Sequence, residues 1–130
     1  MWFVAAGVLA AAISWFVSSR LVIPRFHLGR VWVSPMLEEA LKTGLALSLG
    51  AQVVLCHAVF GAVESIYEIW WKKKTAAGGA AFVSHLLFGI VTVELYRWWG
   101  VWPLAIIGAA AVHTTWNGLV FLVFPGHKID

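Results

Sequence analysis

The chain has 130 residues, room for one domain. Hydrophobic residues make up 62% and charged residues 12%, with a mean hydropathy of +0.87, a charge density about half that of a soluble domain. These values exclude a water-facing surface and, with a net charge of only +3, a nucleic-acid surface; the outer face must meet lipid.

Five helical segments are predicted, forming an all-α polytopic membrane bundle in a single domain. The first covers about residues 2–22. Its start lacks a basic region and Arg20 follows the apolar run at once, so it reads as a retained helix and not a secretory signal. A basic linker follows, with Arg20, Arg25 and Arg30 interleaved with Pro24 and Gly29. Ser34-Pro35 reads as an N-cap and first-turn proline, opening a second helix over about 35–49. The stretch 36–71 is too long for one crossing of roughly 20 residues. It is broken at Leu49-Gly50-Ala51, giving a third helix over about 51–71. Lys72, Lys73, Lys74 and Gly78-Gly79 form the next linker, and a fourth helix covers about 80–99. Gly100 and Pro103 mark a tight turn into a fifth helix over about 102–124, which stops at Pro125-Gly126. No repeat of fixed period and no low-complexity tract is apparent.

The nine Trp residues fit interfacial anchors. The single cysteine, Cys56, rules out an intrachain disulfide and argues against a Cys-based metal site. With five alternating helices the two basic linkers and Lys128 share one side. The positive-inside rule then puts the N-terminus outside and the C-terminus in the cytoplasm.

The rare polar residues fall at matching depth. Glu38 and Glu64 lie 12 and 14 residues from Gly50, and His85 and His113 lie 15 and 13 from Gly100. At about 1.5 Å per residue all four sit roughly 18–22 Å from those turns. Ionisable groups at such depth face a bundle interior and are functional candidates by default. Glu38 and Lys42, four apart, are expected to pair. Phe60, Gly61 and Glu64 share a helix face, and Gly61 would admit a close neighbour. His113 and Asn117, also four apart, point into one cavity. His57 lies about 10 Å nearer the Gly50 turn than Glu64, so a structural use is expected for it. His27 and His127 read as interfacial, and Glu68 and Glu94 as helix-end groups reaching water or a basic neighbour.

A carboxylate beside water, with imidazole and amide groups opposite, suits peptide hydrolysis: Glu takes a proton from water and donors hold the oxyanion. Alternatively, Glu64, His85 and His113 could bind Zn²⁺ with water in the open position, although no local H-E-x-x-H spacing supports the metal.

Four motifs occur in order: Glu38-Glu39-Ala40-Leu41-Lys42 (E-E-x-x-K), Phe60-Gly61-Ala62-Val63-Glu64 (F-x-x-x-E), isolated His85, and His113-Thr114-Thr115-Trp116-Asn117 (H-x-x-x-N). This order resembles the PrsW-type intramembrane proteases and the related CAAX prenyl endopeptidase and bacteriocin-processing superfamily. The resemblance covers about residues 34–124. It implies that Glu38 or Glu39 activates water, that His85 and His113 assist or bind metal, and that Asn117 helps form the oxyanion site. Glu64 stands where the prenyl-endopeptidase branch has His. The expected partners are the bilayer, a membrane protein or peptide substrate, and other membrane proteins; the expected location is a prokaryotic cytoplasmic membrane. Three alternatives stand beside this: a b-type haem protein ligated by His85 and His113, a non-catalytic small subunit of a membrane complex, and a proton or ion carrier.

Overall fold

A computed structural model of the chain describes residues 1–22 and 27–123. The described residues form five α-helices joined by short turns: α1 (Trp2–Val17), continued by a π-helical turn (Ser18–Val22), α2 (His27–Ser48), α3 (Val53–Trp70), α4 (Thr75–Trp99) and α5 (Trp102–Val123). The helices at Trp2–Arg20, Val53–Trp70 and Thr75–Trp99 are long and apolar enough to cross a membrane. Pro24, Arg25 and the predicted stop at Phe124, Pro125 and Gly126 lie outside the described residues, as do His127 and Lys128.

Two starts differ from the sequence reading. Helix α2 begins at His27, which leaves Pro35 inside it. A proline there forfeits one backbone bond. Unwinding the turn before it would forfeit several more helical backbone bonds. Ser34, read as the N-cap, instead donates its hydroxyl to Glu38 Oε1 at 3.1 Å. Helix α4 begins at Thr75 and not near 80. Gly78 is buried within it, where a Cβ would meet Ile69 Cγ1 at 2.5 Å and the Ser65 carbonyl at 2.9 Å. Gly78-Gly79 is therefore helix and not linker, with Gly78 packed and Gly79 exposed.

The breaks at Gly50 and Gly100 hold. Both residues take left-handed φ, +62° and +68°, which glycine adopts without Cβ strain. Both turns lie at one end of the bundle. There Ala6, Ala46, Val53 and Cys56 form a buried apolar cluster, flanked by Leu45, Leu49, Ala51, Val93 and Trp102. Trp102 stacks on Tyr96 at 3.8 Å between ring centroids. This plug closes the bundle at the turn end.

Helices α3 and α4 make the most extensive contact, while α1 lies on α2 and α3, and α5 on α2 and α4. A short segment recurs at the α3–α4 contact: His57-Ala58-Val59-Phe60-Gly61 and His85-Leu86-Leu87-Phe88-Gly89. The two copies pack reciprocally. A Cβ on Gly61 would lie 2.8 Å from His85 Cβ, and a Cβ on Gly89 would lie 2.8 Å from His57 Cβ. Each histidine thus emerges directly over the other helix's glycine, the close approach that small residues permit between membrane helices. Outside, Trp2, Trp98 and Trp99 are exposed at the turn end, and Trp15, Trp32, Trp70, Trp71 and Trp116 are exposed farther along the bundle. Tryptophans disposed this way match the two interfacial belts of a membrane protein.

Gly61→Ala and Gly89→Ala should each cost about 1–3 kcal/mol, because the added methyl must push a neighbouring backbone or Cβ. Gly79 has nothing within 4 Å of its would-be Cβ, so Gly79→Ala should be neutral or gain up to about 1 kcal/mol from helix propensity. Thermal unfolding in detergent reads all three; a Gly61→Ala chain melting with the wild type would refute the close approach.

Candidate functional site

Next to the plug, four helices direct polar groups inward. Helix α2 supplies Glu38, Glu39, Lys42 and Thr43; α3 supplies His57 and Glu64; α4 supplies His85; α5 supplies His113. Glu39, Lys42, Thr43 and His57 are fully buried. Such groups persist in an apolar bundle only when hydrogen-bonded or paired.

Donor and acceptor roles follow from treating each carboxylate as an acceptor. Lys42 Nζ donates to Glu39 Oε1 at 2.5 Å and to His85 Nδ1 at 3.0 Å. It also lies 4.7 Å from the centre of the Phe60 ring. Two hydrogen bonds and one aromatic face thus occupy the three donors of the ammonium. His85 accepts at Nδ1 and donates from Nε2 to Glu64 Oε2 at 2.5 Å. Both its ring nitrogens are engaged. His113 Nδ1 donates to Glu39 Oε1 at 2.9 Å, which leaves the lone pair on Nε2. That nitrogen lies 3.9 Å from Glu38 Oε2, too far for a direct bond. Phe88 stacks on His113 at 4.4 Å, and the His85 and His113 rings meet edge to face at 5.3 Å.

The three carboxylates have different surroundings. Glu39 is the hub: Oε1 takes two charged or polar donors, while Oε2 has no hydrogen-bond partner and faces the equally unpartnered His57 Nδ1 at 3.6 Å. Glu38 is half-buried, with 18% of its side chain exposed, and Ser34 holds its Oε1. The Ser18 hydroxyl, where α1 becomes π-helical, continues this path 3.2 Å from Ser34 Oγ. Glu64 keeps 43% of its side chain exposed while it holds His85. With the plug at the turn end, Ser18, Ser34, Glu38 and Glu64 make the opposite end the polar approach.

Glu38, Glu39, Lys42, Phe60, Glu64, His85 and His113 all converge. Asn117 is half-buried one turn beyond His113, and among the described residues no hydrogen bond joins it to the cluster. Lys42 pairs with Glu39 at i+3 and not with Glu38 at i+4. Glu39 faces the interior, whereas Glu38 lies about 100° round the helix toward Ser34. The sequence reading undervalued His57. Its Nε2 lies 3.4 Å from Thr43 Oγ1 and its Nδ1 faces Glu39. Equal depth was too narrow a test, because the cluster extends along the bundle axis and Glu39 and Lys42 are long enough to reach toward His57. The recurring H-x-x-F-G segment was the signal that could have marked it.

The expected zinc set changes one member. Glu38, His85 and His113 each offer a ligand atom within 4.8 Å of the others, whereas Glu64 is spent orienting His85 Nε2. Haem ligation by His85 and His113 fits poorly, since a macrocycle between them would have to part rings already in edge-to-face contact. Glu68–Lys72 and Glu94–Arg97 are helix-end ion pairs outside the cluster.

Breaking the central pair leaves a buried charge. Glu39→Gln and Lys42→Met should each lose about 3–5 kcal/mol, and the double variant should lose less than their sum. Glu94→Gln, at an exposed pair, should lose no more than about 1 kcal/mol. Denaturation in mixed micelles measures the cycle; strict additivity would show that Glu39 and Lys42 do not depend on one another.

The chain matches no known protein family, no curated protein and no solved structure.

Proposed function

We propose that the chain is a PrsW-like intramembrane endopeptidase that hydrolyses membrane-embedded or membrane-proximal peptide bonds with a water activated by Glu38. One observation carries this reading. The side-chain chain from Ser18 to Glu64 is continuous except between Glu38 Oε2 and His113 Nε2, which stand 3.9 Å apart. Both atoms are acceptors, and a water between them would donate one proton to each. That polarisation is what a nucleophilic water requires.

The roles divide accordingly. Glu38 takes the proton as the water oxygen attacks the carbonyl carbon, then returns it to the departing nitrogen. Glu39 is too enclosed to meet substrate; it fixes the tautomer and orientation of His113. Asn117, four residues along α5, supplies an amide donor to the developing oxyanion once substrate is bound. Lys42, Glu64 and His85 form the charged frame that holds these groups still, with Phe60 and Phe88 as its apolar lining. In this reading all five helices sit in the bilayer with the N-terminus outside. The polar approach then opens to the cytoplasmic side, where the basic linkers lie. The motif order E-E-x-x-K, F-x-x-x-E, His85 and H-x-x-x-N supports the family assignment.

Glu38→Gln should lower cleavage by about 10²–10⁴-fold with unchanged melting, the range for loss of a general base. Asn117→Ala should lower it by about 10²-fold or more, as for one oxyanion donor. Reconstitution with detergent-solubilised membrane proteins, followed by mass-spectrometric mapping of new N-termini, provides the assay. The reading fails if wild type yields no N-termini absent from the Glu38→Gln control.

A further inference from the structure

The centre of the cluster is already occupied by a cation. Lys42 Nζ sits between Glu39 Oε1 at 2.5 Å and His85 Nδ1 at 3.0 Å, with no exposure to solvent. The cluster holds three carboxylates, Glu38, Glu39 and Glu64, and Lys42 supplies its one ammonium. The surplus of negative groups shows in Glu39 Oε2, which is buried without a partner. Glu38, His85 and His113 bring ligand atoms within 4.8 Å of one another. Two imidazoles and one carboxylate make a common zinc set, and bonds of about 2.0–2.1 Å would draw those atoms in by only about 1.5 Å.

One obstacle separates this arrangement from a metal centre. Of the two ring nitrogens of His85, Nε2 is bound to Glu64 and Nδ1 accepts from Lys42. A divalent ion could take Nδ1 only by displacing the ammonium, and two cations could not share that space. The Glu64–His85 and Glu39–His113 contacts already resemble the carboxylate–imidazole pairs that orient histidine ligands on zinc.

We propose that Lys42 is the resident cation of a latent transition-metal site, so that the native cluster works without a metal and a chain lacking this ammonium takes up Zn²⁺ or Co²⁺ on Glu38, His85 and His113. The ammonium supplies, through a covalent tether, the positive charge that an exchangeable ion supplies elsewhere. It binds Glu39 and His85 through hydrogen bonds and leaves Glu38 Oε2 and His113 Nε2 without a direct bond. The inference stands apart from the hydrolytic reading, because its test measures metal and stability and not cleavage. An inactive wild type with the metal behaviour described below would remove the proposed function and leave this one in place.

The test is Co²⁺ titration of purified wild type, Lys42→Ala and Lys42→Ala/His113→Ala, followed by the visible bands of four-coordinate cobalt. Metal content after Zn²⁺ loading and gel filtration is measured alongside. Wild type should show no saturable uptake. Lys42→Ala should take up about one ion per chain and melt at a higher temperature with Zn²⁺ than without, as a ligand that binds only the folded state requires. The double variant should lose both effects. Uptake of one ion per wild-type chain, abolished by His113→Ala, would overturn the proposal, as would a folded Lys42→Ala chain that binds no more metal than wild type. Should Lys42→Ala not fold, Lys42→Gln keeps most of the bulk, removes the charge and is read by the same two outcomes. The wild-type titration needs no variant at all.

Discussion

The buried contact between Lys42 and Glu39 is the constraint on which the rest of the cluster depends. A lone ammonium or carboxylate inside an apolar bundle is several kcal/mol too costly to retain. Paired, the two become a fixed point to which other groups attach. Glu39 sets the tautomer of His113; Lys42 sets that of His85; His85 in turn engages Glu64. The pair lies on one helix, three residues apart, yet its partners come from α3, α4 and α5. Removing either charge would therefore leave the other buried without its counter-charge.

That network requires α3 and α4 to approach far more closely than ordinary side chains permit. Gly61 and Gly89 provide the space, and each is filled by the Cβ of a histidine belonging to the cluster. The glycines that allow the helices to touch therefore also place two of the imidazoles. Packing and polar organisation are one device here. The small apolar residues at the turn end extend the same logic: Ala6 and Ala46 close the bundle beside the polar layer. Among the described residues, Glu38 and Glu64 are the carboxylates of the cluster that keep exposed surface.

Three carboxylates that look alike in composition receive separate tasks from their surroundings. Glu39, enclosed and multiply contacted, is an organiser. Glu64, in contact with His85 and open to the outside, is an orienting group at the mouth. Glu38, tethered by Ser34 and facing an imidazole lone pair across a gap, is the one to which the proposed reaction assigns proton transfer. Exposure and the number of committed lone pairs separate these roles; identity and spacing along the chain do not.

Much of this was present in the amino-acid order. Sparse charge and long apolar runs dictate helices with an apolar exterior, since isolated backbone groups cannot be left unpaired in lipid. Gly50 and Gly100 mark turns, and helix rise alone places Glu38, Glu64, His85 and His113 at similar distances from them. What rise and period do not contain is the rotation and mutual approach of helices. Only tertiary packing decided that Lys42 joins Glu39 and not Glu38, and that Ser34 serves Glu38 inside a helix running through Pro35. The same holds for His57, which the reciprocal Gly61–His85 and Gly89–His57 contacts bring against Glu39. Periodicity determines which residues face inward; the distance between two backbones, set by the smallest residues at their crossing, determines which of them touch.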